Sequence, residues 1–137
     1  MIGLAARSVG QHGSILVLID SDEDCPMDLS RRLHEQAVKA RSDIPIAVVI
    51  AKREFEAWFI AAAPSLQGTN GLMSPLATPP DPESISNAKK WLEHHMHTGT
   101  YKETTHQARL AAKFDMEQAR ASRSFRKFYK EIVRLLS

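Results

Sequence analysis

Two short apolar runs constrain the fold of this chain more than any other feature. Residues 15–19 read ILVLI and residues 46–50 read IAVVI, each without a polar interruption. Such runs are typical of strands buried on both faces of a parallel sheet. Between them, residues 27–41 carry leucines and alanines at helical spacing. The order strand–helix–strand therefore predicts a parallel, right-handed unit of an α/β domain.

The rest of the chain predicts helices joined by one long loop. Residues 64–82 are rich in Gly, Pro, Ser and Thr, which is typical of an irregular segment. We expect a single domain over residues 1–137, with a β-α-β-α unit over 1–63, this loop, and a helical part over 83–137. The further helices that the patterns predict cover residues 1–9, 54–63, 82–96, 104–114 and, with Ser122 or Ser124 as cap, the segment up to 136.

A sheet of only two such strands is incomplete. Strands with continuous apolar sequence need neighbours on both sides and helices on both faces. We therefore expect the missing strands to come from another subunit, or the chain to be the later part of a longer protein.

Composition narrows the class of protein. The single cysteine, Cys25, excludes an intramolecular disulfide and fits a reducing compartment. No apolar run approaches the roughly 20 residues of a membrane helix, and the first residues do not resemble a signal peptide. We expect a cytoplasmic protein that does not enter a membrane.

A cluster of carboxylates follows the first apolar run directly. Asp20, Asp22 and Asp24 stand within the segment DSDED, at the carboxyl end of a predicted parallel strand, where open α/β sheets bind ligands. If the extended path continues, Asp20 and Asp22 lie on one side. Such oxygen ligands suit Mg²⁺ or Mn²⁺. The alternative is a solvated loop held by Asx-turns.

Charged residues also follow the second apolar run. If the two strands are adjacent, both ends face one pocket, where Lys52 or Arg53 would hold a phosphate and Glu54 would be a catalytic residue or further metal ligand. Glu56 has a simpler interpretation, because acidic residues are favoured in the first turn of a helix by its dipole.

The last helix separates into an apolar and a basic face. Arg123 and Lys127 belong to the basic face, which could track the phosphate backbone of a nucleic acid. The alternative is the solvated side of an amphipathic helix. The apolar face is formed by Phe125, Phe128, Tyr129, Ile132 and Leu136.

Histidine and cysteine offer weaker candidates. His94 and His97 are one helical turn apart and could bind zinc, but no cysteine or well-spaced carboxylate completes the site. Cys25 lies between Asp24 and Asp28, a setting that disfavours a catalytic thiolate.

Several motifs together resemble one bacterial family. The motifs occur in the order ILVLIDSDEDCP, IAVVIAKREFEAWFIAA, AKKWL, Tyr101 with Gln107, and SRSFRKF. They resemble the family catalogued as domain of unknown function four-two-seven-six, over nearly the whole chain from residue 15 onward. REFEAWF is the most specific of these matches.

The resemblance implies a fold and a chemistry. The family is similar to the Toprim fold, a Rossmann-like three-layer domain found in topoisomerases, primases and some nucleases, and its members often stand beside ATPases in phage-defence-type operons. It implies that Asp20 and Asp22 match the D-x-D pair of a magnesium-dependent nuclease or phosphodiesterase. Toprim domains also use a glutamate on an earlier strand, and no acidic residue precedes Asp20 here. The resemblance thus implies an incomplete, N-terminally truncated domain.

Two further function classes stay open. One is a non-catalytic interaction module that pairs its exposed sheet edge with another copy, as a homo-oligomer, or with a partner ATPase. The other is a nucleotide-binding or phosphatase-like site, which no glycine-rich phosphate loop supports.

Overall fold

A computed structural model of the protein describes residues 7–137, so the first helix predicted over residues 1–9 lies largely outside the described residues. The strand–helix–strand unit is confirmed, as β1 (Ile15–Asp20), α1 (Pro26–Ala40) and β2 (Ile46–Ala51). The two strands are parallel and adjacent, with Asp20 opposite Ala51 at the last pair of the register. The ends of both strands therefore lie together.

The sheet is covered unequally on its two strands. All six residues of β2 are buried. On one face α1 packs Leu29 against Val48 and Ile50, and on the other Ala51 packs with Trp58 and Phe125. Most of β1 is only half-buried, and Leu18 is 37% exposed. Within residues 7–137 the sheet has two strands, so the outer edge of β1 carries no partner strand there.

The helical C-terminal half is built from shorter pieces than the patterns predict. Its elements are α2 (Ala57–Ala61), α3 (Ala63–Leu66), a 3₁₀ turn (Pro82–Ser84), α4 (Ala88–His94), a π-helical turn (Glu103–Gln107), α5 (Ala108–Ala111), α6 (Met116–Ala119) and α7 (Arg123–Leu136). The single helices predicted over 54–63, 82–96 and 104–114 are therefore wrong in their bounds. Ser122 caps α7 by accepting from Phe125 N, as the sequence predicts.

The long loop contributes to the core. Leu72 and Leu76 are buried in a cluster with Phe59, Leu92 and other apolar residues. Leu72 also forms an antiparallel bridge with Met96. The apolar residues of this Gly- and Pro-rich segment thus anchor it between α2 and α4.

Only part of the predicted apolar face of α7 is buried. Phe125 is fully buried and Phe128 packs on Trp58, with ring centroids 5.0 Å apart. Tyr129 and Leu136, by contrast, are 41% and 81% exposed. No helix among residues 7–137 is long and apolar enough to cross a bilayer.

Candidate active site at the ends of the two strands

The loops that follow β1 and β2 are joined by hydrogen bonds. Asp22 N donates to Arg53 O at 2.9 Å, and Arg53 N donates to Ser21 Oγ at 2.7 Å. Ser21 is 2% exposed. The two loops are therefore joined to each other, and the parallel adjacency of the strands that the sequence predicts is confirmed.

Both loops turn through left-handed backbone. Asp22 has φ of 49° and Arg53 has φ of 63°, a region that residues other than glycine adopt rarely. The extended path assumed beyond residue 19 thus ends at Ser21. Asp20 and Asp22 nevertheless line the same cavity of about 430 Å³, together with Leu18, Ile19, Phe55 and Gln107. Both residues line this cavity because the backbone turns at Asp22, so strand alternation is the wrong reason for their shared location.

Asp20 is held in one orientation and is costly to ionise. Its Oδ1 accepts a hydrogen bond from Phe55 N at 2.7 Å. Burial raises the pKa of Asp20 from 3.8 to about 6, against the lowering effect of the Phe55 hydrogen bond, and the negative charge of Glu56 raises it further. A bound cation would reverse this penalty.

Glu56 is the buried carboxylate behind the cavity wall. It is fully buried, and its Oε1 accepts from Tyr101 Oη at 3.0 Å and from Gln107 Nε2 at 3.1 Å. Its Oε2 is buried with no hydrogen-bond partner. Burial, followed by the charge of Glu56, raises the pKa of Tyr101 well above its usual range, so the phenol stays a donor. The side chain of Glu56 makes no capping hydrogen bond to α2, so the helix-dipole interpretation does not account for its hydrogen bonds to Tyr101 and Gln107.

Glu54 turns away from the Asp20 cavity. Its Oε2 accepts from Ala88 N at 2.5 Å and from Lys89 N at 3.3 Å, at the start of α4. It lines a second cavity of about 580 Å³, which Lys89, Tyr101 and Glu103 also line. Glu54 therefore connects the end of β2 to the helix that carries Lys89.

The ammonium of Lys89 interacts electrostatically with this group of carboxylates. Its ammonium forms an ion pair with Glu103, which raises the pKa of Lys89 and is reinforced by attraction to Glu56 and Glu54. Its positive charge also acts on Asp20. The ion pair lies at the rim, since the side chains of Lys89 and Glu103 are 37% and 51% exposed.

The other residues predicted from the sequence lie apart from this cavity. Asp24 and Lys52 are exposed and do not line it. Arg53 contributes its backbone to the joined loops. Lys127 lines a different groove beside Ile46, at the opposite end of β2, and Arg123 N binds the Glu83 carboxylate at 2.7 Å.

The described part of the chain contains no preformed set of three or more protein metal ligands. Among residues 7–137, no three His, Cys, Asp or Glu side chains are arranged to hold a metal ion. His94 and His97 are both exposed. It is His95 that is held, because its ring stacks on Trp91 at 3.9 Å and its Nδ1 lies 2.7 Å from Trp91 O.

The sequence patterns did not predict the buried carboxylate of the candidate site or the residues around it. Glu56 stands between apolar residues in FEAWF, and an acidic residue inside such a run is a signal of a buried, hydrogen-bonded carboxylate. Tyr101 and Gln107 entered only through the family resemblance. Lys89 carries no local signal, because its role depends on where α4 packs.

Comparison with known proteins identifies a family and no characterised relative. No curated protein and no solved structure matches the chain. A family model described as "Domain of unknown function (DUF4276)" matches residues 4–133, nearly the whole chain. The resemblance carried by the DSDED and REFEAWF motifs is thereby confirmed, and the chain belongs to the DUF4276 family.

Proposed function

We propose that the cavity at the ends of β1 and β2 is the active site of a Toprim-like, divalent-cation-dependent phosphodiesterase or nuclease. The observation that carries the proposal is that Asp20 and Asp22 line one cavity, and that Gln107, which also lines it, binds the buried carboxylate of Glu56. The negative charges of Glu56 and Asp22 disfavour ionisation of Asp20, and a bound cation would offset that cost.

The donor set fits Mg²⁺ or Mn²⁺. Mg²⁺ is usually bound by one or two protein carboxylates, with waters and substrate phosphates as its remaining ligands. Asp20 and Asp22 supply that number. Asp20 Oδ1 is already oriented by Phe55 N, which leaves its other oxygen for the ion. When bound, the cation would polarise phosphoryl oxygens and lower the pKa of an attacking water.

The protein's own groups have separable roles in this proposal. Asp20 and Asp22 hold the cation. Tyr101 and Gln107 fix the carboxylate of Glu56 through its Oε1, so its second oxygen keeps one defined position beside the cavity. Glu54 positions the start of α4.

Cation binding is the first test. Calorimetric titration with Mn²⁺ should show binding to the wild-type chain, and Asp20→Asn should weaken it about tenfold or more, because one charged oxygen ligand is lost. Asp24→Asn is the matched control: it removes an exposed carboxylate from the same loop, outside the cavity, and should leave affinity within about twofold.

The readout that follows is cleavage. Nicking of plasmid DNA in Mn²⁺ should be lost in Asp20→Asn and kept in Asp24→Asn. Equal Mn²⁺ affinity in the wild type and Asp20→Asn would overturn the proposal, and so would an absence of binding in all three.

The interaction module is the second candidate. It is favoured by one observation, the half-exposed apolar residues along β1, whose outer edge has no partner strand within residues 7–137. An open edge of this kind pairs readily with another chain. In this alternative, β1 takes a strand of a second copy and the chain forms a homo-oligomer. The partner ATPase and the defence role stay predictions of the resemblance.

A further inference from the structure

Two cavities meet at one buried carboxylate. Gln107 lines the cavity that holds Asp20, while Tyr101 lines the larger cavity that holds Lys89 and Glu103. Both side chains donate to the same oxygen of Glu56. The Lys89 cavity is therefore a direct neighbour of the proposed active site.

The charge of Lys89 interacts with carboxylates of both cavities. Its ammonium attracts Glu54, Glu56 and Glu103 and acts on Asp20. Among residues 7–137, Asp20, Glu54 and Glu56 form no ion pair within 4.0 Å, whereas Glu103 does so with Lys89. Lys89 is thus paired with one carboxylate, that of Glu103, at the rim of a cavity that Glu54, Glu93 and Lys90 also line.

The Lys89–Glu103 ion pair is easily exchanged. Both side chains are more than a third exposed, and exposed ion pairs give little net stabilisation because water solvates and screens both charges. An anionic ligand entering the cavity can replace the Glu103 carboxylate at small cost. The cavity of about 580 Å³ is within the usual range for small-molecule ligands.

We infer that Lys89 binds a non-bridging phosphate oxygen of the substrate and that Glu103 competes with the substrate for it. The inference rests on the proposed function, since it names the phosphate-binding residue of that same site. It assigns to Lys89 the role that the sequence suggested for Lys52 or Arg53. Its recognition chemistry is an ammonium ion paired with a phosphate oxygen.

Phosphate binding measured by calorimetry tests the inference. The probe is inorganic phosphate in Mg²⁺ buffer. Lys89→Gln should weaken binding about tenfold, the loss of one charge-assisted hydrogen bond. Glu103→Gln should strengthen it several-fold, because Lys89 is then released from its competitor. Lys90→Gln, a neighbouring lysine that lines the same cavity, should change it by less than about twofold.

The double variant Lys89→Gln, Glu103→Gln separates a specific contact from net charge. It has the wild-type net charge, and it should bind phosphate as weakly as Lys89→Gln alone. Wild-type affinity in the double variant would overturn the inference, as would an unchanged affinity in Lys89→Gln or no phosphate binding by Glu103→Gln.

Mn²⁺ titration of the same variants keeps the two proposals apart. Lys89 is not a cation ligand, so all these variants should keep Mn²⁺ binding that depends on Asp20. If Mn²⁺ binds at Asp20 and phosphate affinity is the same in the wild type and Lys89→Gln, this inference fails and the proposed function stands. If Mn²⁺ does not bind, the proposed function fails whatever phosphate does.

Discussion

At the scale of the residue, Asp20 combines a proposed role in cation binding with a cost to stability. Its pKa in the folded chain is raised from 3.8 to about 6, first by burial and then by Glu56. The folded state therefore holds the proton more tightly than the unfolded chain does. Its contribution to stability is complete below pH 3.8 and is lost as the pH rises through 6.

Asp20→Asn should remove this pH dependence. Asn keeps an oxygen for Phe55 N and cannot ionise, so the variant should match the wild type at pH 4 and exceed its stability at pH 7.5. We expect a gain of about 1 kcal/mol, because partial exposure of Asp20 screens the effect. Urea unfolding in EDTA at both pH values measures it.

The same experiment links stability to the proposed cation. Mg²⁺ added at pH 7.5 should stabilise the wild type by mass action and leave Asp20→Asn unchanged. A variant that is less stable than the wild type at pH 7.5 in EDTA would mean that the Asp20 carboxylate is structural.

Residue patterns point to Asp20 and Asp22 and not to the other residues of the candidate site. Asp20 and Asp22 stand out because charged residues directly after an apolar run can be recognised from the sequence alone. Lys89 lies more than 65 positions further along the chain, and only the packing of α4 brings it near. Glu56 could have been found from its apolar neighbours, whereas its hydrogen bonds to Tyr101 and Gln107 depend on tertiary structure.

At the scale of the element, tertiary hydrogen bonds decide where the short helices begin. A helix is predicted from residue 54, but α2 begins at Ala57. Arg53 is left-handed and Phe55 N is engaged by Asp20. Glu54 meanwhile binds the first N–H groups of α4. Among residues 7–137 the two longest helices, α1 and α7, were predicted well because their periodicity outweighs such contacts. The other predicted helices are divided into shorter pieces.

The start of α7 is stabilised by a carboxylate distant in sequence. Glu83 is 6% exposed, and its Oε1 accepts from Arg123 N at 2.7 Å and from Ser124 N at 3.2 Å. Glu83→Gln should lower the free energy of unfolding by about 1–2 kcal/mol, because a charge is lost beside the positive end of the helix dipole. Urea denaturation followed by tryptophan fluorescence measures the change.

A matched control exists for this variant. Glu117→Gln removes an exposed carboxylate paired with Arg120 and should stay within about 0.5 kcal/mol of the wild type. If Glu83→Gln is equally neutral, the start of α7 does not depend on the charge of Glu83.

At the scale of the whole molecule, the candidate site lies next to the open edge of the sheet. β1 ends at Asp20, and its outer edge has no partner strand within residues 7–137. Neighbouring strands lie about 4.8 Å apart, so any strand that pairs along β1 would bring its own residues beside the Asp20 cavity. The apolar sequence predicted this deficit, since ILVLI suits a strand buried on both sides.

Leu18→Lys tests whether a second copy covers that edge. Leu18 is 37% exposed in the middle of β1, and a lysine on an edge strand disfavours pairing with another chain. If β1 pairs with a second copy, sedimentation should show a concentration-dependent dimer for the wild type and a monomer for Leu18→Lys.

Val38→Lys supplies the control for that experiment. Val38 is 40% exposed and lies on α1, so the variant adds the same charge away from the edge and should remain a dimer. A wild type that stays monomeric at every concentration would exclude self-pairing through β1. Metal-dependent chemistry at Asp20 would then have to be complete within one chain. A wild-type dimer whose Mn²⁺ binding is lost on dilution, in step with its dissociation, would mean that the second copy contributes to the site.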